Sequence, residues 1–185
     1  MKTYKDVYFL RLVLHIFCVQ CRRGYGRNRQ FRRHKLQAGT LRAGKLRWRT
    51  EYGRYENTGL EVICTFTFEK TARGEYRTMM GVTPADAAKA SIEAGAHIIG
   101  TNCGNGIDRM IEIVKEMRAA APNTPVLVNA NAGLPQNVDG VDVFPDTPEK
   151  MGQMTVELVK AGANIVGGCC GTTPAHISAM KKAVK

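Results

Sequence analysis

The sequence has no apolar run long enough to cross a membrane. Its longest apolar stretch, residues 7–19, is interrupted by Arg11 and His15, and it is shorter than the ~20 residues that a spanning helix needs. A Cys-Arg-Arg motif follows at residues 21–23, where a secretory signal would end in small residues. We therefore expect neither membrane attachment nor secretion.

Acidic residues are scarce in the first third of the chain. Of the 27 basic and 16 acidic residues, 15 basic but only three acidic ones lie in residues 1–58. The net charge of +11 belongs to this segment, so it does not indicate a nucleic-acid-binding protein as a whole. Residues 1–55 also lack lasting periodicity, and we interpret them as a basic, poorly patterned segment that is disordered or foreign to the domain. The alternative is a basic arm that binds nucleic acid, with the rest of the chain as a non-catalytic scaffold.

Six cysteines without a secretory signal favour a reducing, cytoplasmic compartment with free thiols. Cys64 lies inside an apolar run that predicts a strand, so we assign it to the core. Cys18 and Cys21 form half of a zinc-finger pattern without a second half, which we attribute to chance. His97 begins a predicted strand and is expected to be structural. His176, in the first turn of the last helix, could approach the candidate site, but we expect a solvated helix residue.

From residue 56 onward, strand and helix patterns alternate four times. β-Branched and apolar runs predict strands at residues 62–68, 97–102, 126–130 and 164–168. Thr-Pro pairs at Thr83, Thr147 and Thr173 predict the starts of amphipathic helices. Such alternation predicts an α/β fold with a parallel sheet covered by helices. No Gly-x-Gly-x-x-Gly motif follows the first strand, which argues against a doubly wound dinucleotide-binding sheet.

Two of these units are similar to one another. Residues 83–104 and 147–171 share a Thr-Pro start, an Ala-Gly-Ala turn, an isoleucine-containing strand and a terminal cysteine. Repeated β-α units with chemistry at the strand ends are typical of a (β/α)8 TIM barrel, which needs eight strands and ~250 residues. Residues 56–185 are therefore predicted to form the C-terminal half of such a barrel, with about four β-α units. Open sheet edges would then favour self-association.

Three cysteines follow the strands of the two similar units. Aligning the units places Cys103 opposite Cys170, and Cys169 is its immediate neighbour. Three thiolates can hold Zn²⁺ and leave one position open, where a substrate thiol would become the thiolate that attack on a methyl group requires. A redox pair, a structural zinc module and plain buried cysteines remain as alternatives.

The motifs around these residues resemble those of the homocysteine S-methyltransferase family. The motifs are Gly-Thr-Asn-Cys at residues 100–103, Asn-Ala-Asn-Ala-Gly-Leu-Pro at residues 129–135 and Gly-Gly-Cys-Cys-Gly-Thr-Thr-Pro-Ala-His-Ile at residues 167–177. The resemblance covers residues 56–185, and within the family it is closest to the homocysteine-binding domain of the cobalamin-dependent methionine synthases. It implies a zinc ion held by Cys103, Cys169 and Cys170, and a role for Asn131 in binding homocysteine.

The resemblance also implies the reaction and its partners. Methyl transfer to homocysteine would give methionine, with methylcobalamin on a separate corrinoid-carrying module or protein as the donor. Betaine or S-methylmethionine are the alternative donors. The opening motif and the first four strands of the family have no counterpart in residues 1–55, so we expect a fragment with impaired activity on its own.

Overall fold

A computed structural model describes residues 61–185 and two short strands upstream, β1 (Tyr8–Phe9) and β2 (Phe17–Cys18). Apart from these two strands, the segment 1–55 that we interpret as basic and foreign to the domain lies outside the described residues. Within the described part of the chain, no helix has both the length and the apolar character that a membrane crossing requires.

Strands and helices alternate along residues 61–185. They are β3 (Ile63–Phe66), β4 (Glu69–Lys70), β5 (Tyr76–Arg77), α1 (Pro84–Glu93), β6 (Ile98–Gly106), α2 (Ile107–Ala120), β7 (Val126–Asn131), β8 (Gln136–Val138), β9 (Val141–Val143), α3 (Pro148–Lys160), β10 (Ile165–Gly168) and α4 (Pro174–Ala183). The predicted alternation is confirmed, with boundaries that differ by a few residues.

The main sheet is parallel, with the strand order β1-β10-β7-β6-β3-β2. Its four central strands are those expected from the sequence, and the α/β prediction with a four-stranded parallel sheet is confirmed. Strand β1 pairs with β10 at one edge and β2 pairs with β3 at the other, over two residues each. The assignment to half of a (β/α)8 barrel stays a prediction.

The helices begin where the Thr-Pro pairs indicated. The side chain of Thr83 accepts a hydrogen bond from the backbone N–H of Asp86 at the start of α1. Thr147 accepts one from the N–H of Lys150 at the start of α3 in the same way. Thr173 precedes α4 and forms part of a capping box. These caps satisfy N–H groups that have no partner within the helix, and they hold each helix start at the end of the preceding loop.

The core lies between the sheet and the helices. Helix α2 buries one face at helical spacing, formed by Ile107, Met110, Ile113, Val114 and Met117. Strand β7 is buried along its whole length. A strand with both faces covered is expected in a parallel sheet, and this burial fixes the position of Asn131 at its end.

Arg118 joins three segments at the N-terminal end of the strands. Its guanidinium donates to the carbonyl oxygens of Ala121, Pro122, Thr124 and Gly162 and to Oδ1 of Asn164, over 2.6–3.0 Å. These acceptors lie at the end of α2 and in the loops that lead into β7 and β10. Arg118 therefore fixes the entry to two central strands, at the end of the sheet opposite to the cysteines.

Two antiparallel hairpins, β4–β5 and β8–β9, occupy segments for which the sequence analysis predicted no strand. In the second, Asp139 and Gly140 form the turn with positive φ angles of 51° and 82°. An Asp-Gly pair between alternating valines is a strong hairpin signal, since the two-residue type I′ turn needs positive φ at both positions. The sequence analysis predicted no strand between β7 and α3, so it missed this hairpin.

Candidate metal centre

Cys103 lies in a part of β6 with an irregular backbone. The strand was expected to end at this residue, but it continues to Gly106, and its register against β7 shifts between Asn102 and Gly106. Cys103 has a φ of 57° and Gly104 a φ of 74°. The left-handed conformation costs a residue with a side chain about 1–2 kcal/mol, and such strain is concentrated at functional sites. Here it sets the direction of the Cys103 side chain.

Cys169 and Cys170 lie in the loop between β10 and α4, and backbone hydrogen bonds attach this loop to the end of β7. The N–H of Cys169 donates to the carbonyl of Ala130 at 2.7 Å, and the N–H of Ala132 donates to the carbonyl of Cys170 at 2.9 Å. Thr172 closes the loop, since its hydroxyl donates to the carbonyl of Cys169 at 2.6 Å. The two cysteines are therefore held in register with the neighbouring strand.

The three sulfur atoms form a compact cluster, as the repeated units predicted. The Sγ of Cys170 lies 3.8 Å from that of Cys103 and 3.9 Å from that of Cys169, and all three lie within 4.8 Å of one another. Two sulfurs bound at about 2.3 Å to one tetrahedral zinc ion are about 3.8 Å apart, so the observed spacing suits a shared ion. A disulfide needs about 2.05 Å, and the three cysteines are free.

The thiols of the cluster differ in acidity. A hydrogen bond from the Cys169 thiol, helped by hydrogen bonds from Gly104 N–H and Asn131, lowers the pKa of Cys103 to about 5 against the opposing effect of burial. The pKa of Cys169 is raised by that same hydrogen bond, by burial and by the charge on Cys103. Burial, followed by the charge on Cys103, raises the pKa of Cys170. The cluster thus carries one negative charge readily, and further thiolates require a nearby cation.

Asn131 lies between the two cysteine-bearing segments. It is buried at the end of β7, and its Oδ1 accepts a hydrogen bond from the N–H of Cys170 at 3.1 Å. Its side chain also makes the hydrogen bond that helps to lower the pKa of Cys103. The structure therefore brings Asn131 to the cluster that the sequence analysis assigned, while its role in binding homocysteine stays a prediction.

His176 lies in a different environment from the one expected. Only 7% of its surface is exposed, so the expectation of a solvated helix residue was wrong. Its Nδ1 accepts a hydrogen bond from the N–H of Thr173 at 3.1 Å, and its Nε2 lies 2.8 Å from the carbonyl oxygen of Asp146. The Thr-x-x-His spacing at the helix start resembles a capping box, and this signal could have identified the bond to Thr173, although not the contact with Asp146.

The structure also places His97 and Cys64, which the sequence analysis assigned outside the candidate site. His97 lies at the opposite end of the sheet from Cys103, where its Nδ1 accepts a hydrogen bond from the N–H of Val62 at 3.0 Å; its structural role stays a prediction. Cys64 packs against the core in β3, and burial raises the pKa of its thiol, as expected for a core residue. The side chains of Cys18 and Cys21 lie outside the described residues.

Comparison with known proteins identifies the family. The profile of the homocysteine S-methyltransferase family matches residues 39–184. The methionine synthases of Mycobacterium tuberculosis and Mycobacterium leprae are each 34% identical to the chain over 153 residues, which is 81% of this chain and 12% of each relative. The chain thus spans 12% of the length of these curated relatives.

A solved structure supports the fold. The crystal structure of the homocysteine methyltransferase MmuM from Escherichia coli, in its apo form, superimposes with a TM-score of 0.54 at 19% sequence identity. The superposition covers 74% of this chain and 45% of that one. At this level of identity the similarity concerns the fold alone.

Proposed function

This chain belongs to the homocysteine S-methyltransferase family, and from that membership we propose that Cys103, Cys169 and Cys170 hold a zinc ion beside which the thiol of homocysteine accepts a methyl group. The observation that carries the proposal is the spacing of the three sulfur atoms, with separations of 3.8 Å and 3.9 Å around Cys170. Sulfur ligands favour zinc over magnesium or calcium. The three ligands leave room for one further sulfur in a tetrahedral arrangement.

The acidity of the three thiols also supports the proposal that the cluster binds a cation. One thiolate forms readily at Cys103, and its charge opposes deprotonation of the other two thiols. Zinc, when bound, supplies the positive charge that keeps thiols deprotonated near neutral pH. A substrate thiol held beside the cluster would then be present as a thiolate, which is the nucleophilic form.

The chain's own residues keep the sulfurs in position. The left-handed backbone sets the direction of the Cys103 side chain, and hydrogen bonds with Ala132 and Asn131 hold the backbone of Cys170. We propose that Asn131 also borders the homocysteine site, because it is buried directly beside two of the cysteines. In the reaction, the homocysteine sulfur forms a bond to the methyl carbon. The bond from methyl to donor breaks, the electron pair leaves with the donor, and the product is methionine.

The proposed donor is methylcobalamin on a separate corrinoid-carrying module or protein. The relatives named as methionine synthases support this choice, and the chain spans only 12% of their length. Betaine and S-methylmethionine are the second candidates, because the solved relative is named simply as a homocysteine methyltransferase. We further propose that residues 56–185 form the C-terminal half of a (β/α)8 barrel, supported by the parallel order of β3, β6, β7 and β10.

The first test measures zinc and substrate binding by the full chain. We expect one zinc per chain, and we expect L-homocysteine to change the absorption of the Co²⁺-substituted protein because a fourth sulfur approaches the metal. L-Homoserine, which lacks the thiol, is the matched control and should leave the spectrum unchanged. Equal effects of both compounds, or no zinc binding at all, would contradict the proposed site.

The second test identifies the donor. Zinc-loaded chain is incubated with L-homocysteine and either methylcobalamin, betaine or S-methylmethionine, and the methionine formed is measured by mass spectrometry. Turnover with methylcobalamin alone would support the cobalamin proposal. Faster turnover with either of the other donors would replace it by the corresponding alternative.

A further inference from the structure

We propose that His176 is a positioning residue for the zinc site, which it stabilises through the backbone without touching the metal. The inference rests on the proposed function, because it assumes that Cys169 and Cys170 bind zinc. His176 belongs to helix α4 and lies six positions beyond Cys170 in the sequence. Nevertheless, its two ring nitrogens contact the two chain segments that support the cysteine loop.

The hydrogen bonds determine which ring nitrogen carries the proton. The N–H of Thr173 donates to Nδ1 at 3.1 Å, and the Thr173 hydroxyl lies 2.8 Å from the same atom. Since Nδ1 accepts the backbone hydrogen bond, the proton of the neutral ring lies on Nε2. Nε2 therefore donates to the carbonyl oxygen of Asp146 at 2.8 Å. Both nitrogens of His176 are engaged, each with a different segment of the chain.

These bonds complete a closed circuit that contains Cys170. The N–H of Asp146 donates to the carbonyl of Ala132, and the N–H of Ala132 donates to the carbonyl of Cys170, both at 2.9 Å. Three residues further along the chain from Cys170, the N–H of Thr173 donates to Nδ1 of His176 and closes the set of bonds. Without the Nε2 bond, none of these hydrogen bonds would join α4 to the segment at Asp146.

A helix cap alone does not account for this arrangement. Capping requires only the Nδ1 bond to Thr173, because that bond satisfies an N–H group at the start of α4. The Nε2 bond connects α4 to Asp146, which lies before a different helix, α3. Positioning of Cys170 therefore depends on Nε2, and capping depends on Nδ1, so the two roles can be separated by substitution.

His176→Asn and His176→Gln separate the two bonds. The asparagine amide lies near the position of Nδ1 and can keep the helix cap, whereas the glutamine amide reaches the position of Nε2 and can keep the bond to Asp146. Zinc affinity is measured on the full chain by competition with a chromogenic chelator, and the Co²⁺ spectrum reports the arrangement of the thiolates. We expect His176→Asn to lower zinc affinity about tenfold or more, in the range seen when groups that support metal ligands are removed. His176→Gln should restore part of the loss.

Arg118→Ala serves as the control for a general loss of stability. It removes hydrogen bonds at the opposite end of the sheet and should lower the melting temperature while leaving zinc affinity unchanged. Wild-type zinc affinity and Co²⁺ spectrum in His176→Asn would overturn the inference. So would a loss of affinity in Arg118→Ala equal to that in His176→Asn. A wild-type chain that binds no zinc would instead contradict the proposed function, and the inference with it.

Discussion

The Sγ atoms of Cys103 and Cys170 lie 3.8 Å apart, although the strands that position them are not neighbours in the sheet. Strand β7 lies between β6 and β10, and it ends with Asn131, whose side chain forms hydrogen bonds with both cysteines. The irregular register of β6 and the left-handed backbone of Cys103 accompany this close approach. The cluster therefore depends on backbone geometry at three adjacent strand ends, and each of the following predictions changes one part of it.

Replacing Cys170 by serine should remove zinc from the folded chain. Serine keeps the shape of the side chain, but its hydroxyl is not among the sulfur, imidazole and carboxylate ligands that zinc prefers. We expect zinc content, measured by atomic emission after purification, to fall from about one per chain to less than half, with little change in the far-ultraviolet circular dichroism spectrum. Full zinc content in this variant would exclude Cys170 as a ligand.

Cys64→Ser is the matched control for this substitution. Cys64 packs against the core and lies apart from the sulfur cluster. A serine there places a hydroxyl in an apolar environment, which costs about 1–3 kcal/mol of stability. The control should therefore lower the melting temperature and keep its zinc. Loss of zinc from both variants would indicate that zinc reports folding in general.

Alkylation of the metal-free chain should begin at Cys103. Its pKa of about 5 means that its thiol is largely deprotonated above pH 6, whereas the raised pKa values of Cys169 and Cys170 keep those thiols protonated at pH 7. Because the thiolate is the reactive form, we expect iodoacetamide to label Cys103 at a rate that changes little between pH 6 and pH 8. Peptide mass spectrometry identifies the labelled residue.

The order of labelling separates acidity from accessibility. Cys170 is the most exposed of the three cysteines, so accessibility alone would make it react first. Cys64 provides an internal reference, because burial raises its pKa and its labelling should rise steeply with pH. Initial labelling at Cys170 would contradict the acidity that the hydrogen bonds confer on Cys103.

Arg118→Ala should destabilise the chain by about 2–3 kcal/mol, since it leaves several carbonyl groups without a charged donor. The bonds of Arg118 extend to Gly162 and Asn164, which precede β10, so its loss loosens two strand entries together. Chemical denaturation followed by circular dichroism measures the change. Arg73→Ala removes the same charge at an exposed position and should change stability by less than about 0.5 kcal/mol. Equal effects of the two substitutions would contradict the assigned role.

Much of the fold could be predicted because its signals are local. Thr83 and Thr147, each followed by proline, mark helix starts that the structure places at the same residues. The β8–β9 hairpin was missed although Asp139 and Gly140 carry a local turn signal, because its short strands are exposed and lack the continuous apolar run of the central strands. Strand length and burial thus determined what the sequence analysis could detect.

The sequence predicted which cysteines form the candidate site, but not their backbone conformation or the contacts that support them. The two similar sequence units placed Cys103 opposite Cys170, and their sulfur atoms are in contact. The left-handed conformation of Cys103 accompanies the register shift between β6 and β7, and the sequence analysis had no pattern that predicted it. Buried His176 contacts the carbonyl oxygen of Asp146, which lies 30 positions away. Contacts of this kind arise only when the chain is folded.

Replacing Gly171 by alanine should weaken zinc binding by displacing Cys170. Gly171 has a φ of 76°, a conformation that disfavours any other residue. A Cβ atom there would clash with the side chain of Phe144, so the loop or the phenyl ring must move. We expect zinc affinity to fall about tenfold in the chelator competition assay, because the residue next to a ligand shifts.

Gly140→Ala is the matched control, since Gly140 has a φ of 82° and no atom within 4 Å of the added Cβ. Both variants should lose about 1 kcal/mol of stability from backbone strain, and a similar loss of zinc affinity in both would show that the contact with Phe144 does not position the metal loop.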